Sequence, residues 1–463
     1  MSSRHSRALS LAAFLATCAL CADTMAGSAV DSPLPAPTGS DKVGRRLLYW
    51  TDESRADPGS PNGHRELAVW IYYPASPKKG APPAQRLPGK WADAFWSSFV
   101  TSYPDAVQNG KTYPGRDIAT HAYADAPLKS GLQSYPVVLF APGSAMNVLQ
   151  YASLLEDLAS RGYIVVAVDP TYYTGFGVLS DGRVPEDRIA PTAVNGANGM
   201  DRVVQARSII VDDLNFTLRQ LAKLAADAGP FRGRLELQHV GVLGHSIGGS
   251  VAVHLAEENS SVAVAVDIEG TPAPWEPFPA KPLLILNSAS GVLTAGSSFA
   301  LAARAAKPGY QMVVGETTHN FPADMGFMPF LPASARNLVQ EQLKVPDDVS
   351  GPGSNSGPMA GSPMSGSNGV PVPAGTPQDS NHPAPTGITQ GRMLAPAGAD
   401  GRPHGQSFAV RTPAVGSAHP ARSLAVSEAY IEAFFDEYLK SKPTTLFDSP
   451  SPNYPEMSFY EAP

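Results

Sequence analysis

Two hydrophobic patterns alternate along this chain. From Tyr135 onward, short runs of consecutive apolar residues are separated by longer stretches with helical spacing. Pro136–Phe140, Tyr163–Val168, Val240–Leu243, Val262–Val266, Pro282–Asn287 and Gln311–Val314 are the short runs, and each predicts a strand. Val148–Ser160 and Asp201–Ala228 predict helices; Val203, Ile210, Leu214, Leu218 and Leu221 share a face of the second, and Gly229-Pro230 stops it. Strands that are apolar at consecutive positions and separated by helices imply a mostly parallel sheet with helices on both faces. Upstream, Arg46–Thr51 and Arg65–Tyr73 predict two more strands, the second alternating Leu67, Val69 and Ile71 with Ala68, Trp70 and Tyr72. The turn-rich link between them predicts an antiparallel pair. Val426–Lys440 closes the pattern as a helix with Tyr430, Ile431, Phe434, Phe435, Tyr438 and Leu439 on one face.

Composition divides the chain into one domain and its appendages. With 463 residues and 43% apolar content, a large single core can be buried. Arg4 and Arg7 precede an apolar run from Ala8 to Leu20, too short to span a bilayer, and Thr24-Met25-Ala26 then offers a cleavage site, so residues 1–26 read as a signal peptide and the protein as exported, either periplasmic or secreted. Both cysteines, Cys18 and Cys21, lie in that segment, which leaves the mature chain without a thiol or a cysteine metal site. Residues 27–43 read as a disordered leader, and 44–346 with 421–445 as the domain. Residues 347–420, dominated by Gly, Pro, Ser, Ala and Met, cannot bury enough apolar area to offset chain entropy and read as a long disordered insertion before the last helix; 446–463 is a tail. Residues 76–134 show helical fragments near Trp91–Val100 and either wall a site mouth or cover surface. Inserts at 76–134 and 170–200 are expected to shape the pocket. The net charge of −7, with no basic patch, gives no footprint for nucleic acid, and composition sets no oligomeric state.

The chemistry is concentrated at Val240–His254. A β-rich run meets Gly244-His245-Ser246-Ile247-Gly248, followed by Val251, Val253 and Leu255 at helical spacing. Strand, sharp turn and helix with a serine at the tip form the nucleophile elbow of an α/β-hydrolase, its glycines standing where strand and helix backbones nearly touch. Serine needs a base, and the base an orienting acid. Of ten histidines, His319 alone falls in an ordered loop directly after a late strand, in G-E-T-T-H-N-F, and is the expected base. The acid is expected at Asp267, at the end of the strand V-A-V-D-I-E-G, with Glu269 and Asp324 as fallbacks. The later strand runs into Asn287-Ser288-Ala289-Ser290-Gly291 and offers no carboxylate. The oxyanion needs two backbone N–H donors: Ile247, after the nucleophile, and Ser144 in the loop Ala141-Pro142-Gly143-Ser144-Ala145, where Pro142 has no N–H.

With these residues in place, the chain resembles the secreted-type platelet-activating factor acetylhydrolases. The matching pieces are W-T-D-E-S-R-A-D-P, R-E-L-A-V-W-I-Y-Y-P-A, L-F-A-P-G-S, L-A-S-R-G-Y-I-V-V-A-V-D, G-H-S-I-G-G, V-D-I-E-G and T-H-N-F-P-A-D, in family order across 46–345 and 424–440. The resemblance implies a bacterial relative that is a calcium-independent serine esterase with no cofactor, acting on short or oxidised acyl esters that include platelet-activating-factor-like phospholipids. It implies Ser246 as nucleophile, Asp267 as acid, His319 as base, and Ser144 and Ile247 as oxyanion donors. The expected partners are a small-molecule or lipid ester and, at the periphery, a lipid surface. Family members often carry His-Gly where this chain has Pro142-Gly143, and the family's lipid-surface elements find no match. Two other readings share the motif: a polyester or cutinase-type hydrolase, whose acid usually follows the later strand, and an exported binding protein that has lost the chemistry.

Overall fold

The computed structural model describes residues 32–57, 59–102, 113–131, 133–186, 199–270, 277–288, 301–328 and 419–459. The expected signal peptide lies outside them, as does the expected 347–420 insertion up to residue 418, while its last two residues, His419 and Pro420, cap and open the final helix. Ten strands form one sheet: β1 (Lys42–Ala56), β2 (His64–Ala75), β3 (Ala122–Ala124), β4 (Tyr135–Ala141), β5 (Ile164–Asp169), β6 (Leu235–His245), β7 (Val262–Ile268), β8 (Leu283–Ser288), β9 (Gly309–Val314) and β10 (Met457–Phe459). Their spatial order is β10-β9-β8-β7-β6-β4-β5-β2-β1-β3. The six from β5 to β9 run parallel, as the consecutive apolar runs predict, and β1 and β2 form the expected antiparallel pair.

The pleat sends alternate residues to opposite faces, and each face has its own core. Val138, Phe140, Leu243, Val264, Val266, Leu284 and Met312 face one side, where α2 (Ala152–Ser160) and α5 (Pro420–Lys440) pack. Val137, Leu139, Val242, Ala265 and Ile285 face the other, covered by α3 (Gly199–Ala226) and α4 (Ile247–Glu258). Arg65 grips Asp213 with a two-pronged ion pair at 3.0 and 2.7 Å, which ties β2 to α3 in the interior.

Several segments are more structured than their composition suggests. Residues 32–41 of the expected leader lie against α2: Leu34 is buried, and the Thr38 and Gly39 N–H groups donate to Asp157 and Ser160. The expected tail supplies β10, which pairs antiparallel with β9. In the 76–134 region, α1 (Lys90–Ser102) buries Trp91, Phe95 and Phe99, with Trp91 and Phe95 edge-on to Phe176. The helix expected over 148–160 begins as a single 3₁₀ turn, Val148–Tyr151, capped by Asn147 and Gln150, before α2 proper. Among the described residues, no helix is long and apolar enough to cross a membrane.

The helix α5 belongs to this core despite its distance in sequence. Phe434 is fully buried and meets Tyr310 at 6.1 Å and Phe447 at 5.6 Å between ring centroids. Phe434→Ala is expected to destabilise the protein by about 3–5 kcal/mol, seen as a lowered urea midpoint with an unchanged denaturant slope.

Candidate active site

Ser246 stands between the last residue of β6 and the first of α4, with φ 56° and ψ −122°. A non-glycine residue in this region carries about 1–3 kcal/mol of strain, sustained by its surroundings. Here the Ser246 N–H donates to the Ile268 carbonyl at 2.8 Å, and its own carbonyl accepts from Gly249 at 2.9 Å. Glycines make the turn possible: a Cβ on Gly244 would overlap the Gly248 carbonyl, and one on Gly248 would overlap that of Ala141.

His319 follows β9 in a chain of turns that is fixed at both ends. Thr317 Oγ1 bonds back to the Val314 carbonyl at 2.6 Å, and Asp324, fully buried, accepts from the Ala152 N–H at 2.8 Å at the start of α2. Between these anchors the imidazole Nε2 lies 3.0 Å from Ser246 Oγ. Both side chains are partly exposed, which leaves the pair open to a reactant.

Behind His319 stands Glu269, not Asp267. Glu269 Oε2 lies 3.0 Å from His319 Nδ1 and accepts from Ser288 Oγ at 3.0 Å, while Oε1 accepts from the Ser288 N–H. The expectation at Asp267 is corrected by the pleat. Val264, Val266 and Ile268 point to the α5 face, so Asp267 points to the other, beneath the start of α4. Its Oδ1 accepts from the Gly270 N–H at 2.7 Å, and Oδ2 has no partner among the described residues. Glu269 lies one residue past the strand, where φ 58° turns the chain, and its longer side chain reaches the imidazole. The other fallback, Asp324, caps α2 and lies 3.9 Å from Arg86. Burial raises the Asp324 carboxyl, and Arg86 opposes that.

The two residues expected as oxyanion donors flank the serine. Ile247 opens α4 directly after Ser246. Ser144 lies in the loop after β4, which presses on the elbow: a Cβ on Gly143 would lie 3.3 Å from that of Ser246. The Gly143 N–H donates to the Tyr151 hydroxyl at 3.1 Å and is therefore committed elsewhere. Pattern reading missed His245, the variable residue of the elbow, which is fully buried and hydrogen-bonded through both ring nitrogens. Among the described residues, no group of three or more His, Cys, Asp or Glu side chains is arranged to hold a metal ion.

Comparisons with known proteins point to esterases. A family profile described as platelet-activating factor acetylhydrolase, isoform II, matches residues 29–171, a stretch that includes the Gly143–Ser144 loop and ends before the elbow. A probable 1-alkyl-2-acetylglycerophosphocholine esterase of Arthroderma benhamiae is 27% identical over 267 residues, 55% of this chain and 63% of that protein. A platelet-activating factor acetylhydrolase of Canis lupus familiaris is 22% identical over 195 residues, 37% of this chain and 44% of that protein. The chain thus spans less than two thirds of the length of these curated relatives. Among solved structures, a ferulic acid esterase from Streptomyces cinnamoneus superposes with a TM-score of 0.60 at 24% identity, covering 92% of this chain and 99% of that one. The fold is that of an α/β-hydrolase, and the profile and the canine relative carry the name of the family that the motifs resemble.

Asp267 gives the site a pH signature distinct from catalysis. Burial holds its carboxyl well above the usual carboxylate range, with the Gly270 N–H opposing and the neighbouring Glu269 reinforcing the shift. The folded protein therefore keeps a proton that the unfolded chain releases above about pH 4, so this group's contribution to stability falls as pH rises from there. Asp267→Asn lacks that titration. The melting temperature of the wild type, measured against the variant's from pH 4 to pH 8, is expected to decline steadily.

Proposed function

We propose that this chain, similar in sequence to the platelet-activating factor acetylhydrolases, is a serine carboxylic-ester hydrolase with Ser246 as nucleophile, His319 as general base and Glu269 as the orienting acid. The observation that carries the reading is the pair of 3.0 Å contacts from one imidazole, Nε2 to Ser246 Oγ and Nδ1 to Glu269. This is the order of contacts that serine activation requires.

Reaction begins when Ser246 Oγ attacks an ester carbonyl and its proton passes to His319 Nε2. The buried Glu269 carboxylate accepts from Nδ1–H, fixes the tautomer and stabilises the imidazolium as it forms. Its two further hydrogen bonds, from the Ser288 N–H and hydroxyl, hold the carboxylate in place against the imidazole. The developing oxyanion is held by the Ile247 and Ser144 N–H groups. His319 returns the proton to the departing alcohol, leaving an acyl-enzyme. Water, activated by the same imidazole, then attacks the acyl carbon and releases the acid together with free Ser246.

The family likeness directs the substrate class to short-chain or oxidised acyl esters, including platelet-activating-factor-like phospholipids, and the N-terminal charge and apolar pattern to an exported protein. The ordered contacts among serine, histidine and carboxylate favour an active enzyme over a binding protein of the same fold.

Ser246→Ala is expected to lower turnover of a p-nitrophenyl ester by about 10,000-fold or more. Glu269→Gln, which presents the wrong partner to Nδ1–H, should reduce kcat by about 1,000- to 10,000-fold, whereas Asp267→Asn should stay within about tenfold of wild type. Steady-state kinetics on the three purified variants decides the acid: the opposite ranking of Glu269→Gln and Asp267→Asn would return it to Asp267.

A further inference from the structure

Four groups behind the serine form a single line of hydrogen bonds. The Gly143 N–H donates to Tyr151 Oη at 3.1 Å, Tyr151 Oη lies 2.7 Å from His245 Nδ1, and His245 Nε2 lies 2.8 Å from the His319 carbonyl oxygen. Tyr151 and His245 are fully buried. The ends of this line are backbone groups, one in the loop after β4 and one in the loop after β9.

The direction of every bond follows from donor and acceptor counts. A carbonyl oxygen can only accept, so His245 Nε2 carries a proton. Desolvation holds the His245 imidazole well below its usual range, and the neighbouring His319 adds to this. The ring is therefore neutral, Nδ1 is an acceptor, and the tyrosine hydroxyl donates to it. The oxygen of that hydroxyl is then free to accept from Gly143. Met146 Sδ, 3.1 Å from the same hydroxyl, competes for the one proton, but a thioether is a much weaker acceptor than an imidazole nitrogen. Gly143 has little room to be anything else, since a Cβ there would lie 2.9 Å from His245 Nδ1 and 3.2 Å from Tyr151 Oη.

We propose that Tyr151 and His245 are positioning residues that lock the loop carrying Ser144 to the loop carrying His319, so that the oxyanion donor and the base are held in one frame around Ser246. The proposal rests on the hydrolase reading of that serine. Neither side chain touches substrate. Their effect runs through Gly143, one residue before the donor, and through the main chain of the base itself. A misplacement of such groups by a fraction of an ångström acts on the transition state more than on substrate binding.

The test uses the full-length enzyme and p-nitrophenyl acetate, with Y151F, H245L and H245Q. Y151F and H245L are expected to lower kcat by about 10- to 100-fold, with KM within about threefold of wild type. The glutamine amide of H245Q can accept from Tyr151 and donate to the His319 carbonyl, so H245Q should recover most of the kcat lost in H245L. Melting temperatures of all three are recorded beside the kinetics. If Y151F and H245L keep kcat within about threefold, the coupling is overturned. It is likewise overturned if activity falls in step with melting temperature and H245Q is no better than H245L. Labelling of the wild type with a fluorophosphonate probe separates this from failure of the hydrolase reading. An unlabelled wild type removes both, whereas a labelled wild type with an unaffected Y151F removes the coupling alone.

Discussion

A strand buried on both faces leaves its polar side chains one outlet, its carboxyl end. That constraint organises the molecule. Across the sheet in the order β9, β8, β7, β6, β4, each strand delivers one group to the same edge: His319, Ser288, Glu269, Ser246 and Gly143. Neighbouring strands then make the neighbouring contacts. Ser288 supports Glu269 across β8 and β7, and the Ser246 N–H bonds to the end of β7. The loop after β9 alone must reach back over two strands, to bring His319 to both Ser246 and Glu269. It is the segment fixed by Thr317, by Asp324 and by the His319 carbonyl.

The same edge concentrates strain. Ser246, Glu269, Ala145 and Glu316 all have positive φ, and all lie in loops at this rim. Each such residue costs about 1–3 kcal/mol, a charge the apolar layers on either side of the sheet can carry. The close approach at the elbow removes alternatives, since the glycines that let Ala141, Gly244 and Gly248 meet leave no room for the serine to relax.

Much of this was legible in the sequence because strand periodicity and the elbow motif are local signals. The parallel strands, the helices α3 and α5, Ser246 and His319 were each readable from fewer than thirty residues. The carboxylate in contact with His319 was not, because Asp267 and Glu269 both lie at the end of one strand. The choice between them depends on which face residue 267 takes and on a left-handed turn at 269. The first could have been read: Val264, Val266 and Ile268 form one apolar row, which sends Asp267 to the other face. The turn could not, since nothing in I-E-G-T fixes φ. His245 was passed over for a different reason. As the variable position of a motif it has no pattern of its own, and its partners Tyr151 and His319 are 94 and 74 residues away. The packed leader and β10 were missed because short, polar, proline-rich stretches carry little periodicity even when an ordered surface holds them.

Electrostatics gives the two histidines opposite tasks. Their rings lie 4.8 Å apart, close enough for a charge on one to oppose a charge on the other. In the proposed mechanism His319 becomes an imidazolium during acyl transfer, and a charged His245 would resist that step. Full burial, reinforced by the neighbouring His319, keeps His245 neutral, and its ring nitrogens meet a tyrosine hydroxyl and a carbonyl. His319 has the reverse surroundings: partial exposure and a carboxylate at Nδ1. Of the two carboxylates at the end of β7, the one with three donors faces the imidazole, while Asp267, with one donor and deep burial, is held toward its neutral form. The site thus sets a partly exposed histidine against a carboxylate that two groups of Ser288 also bond, with a buried, neutral histidine ring 4.8 Å away.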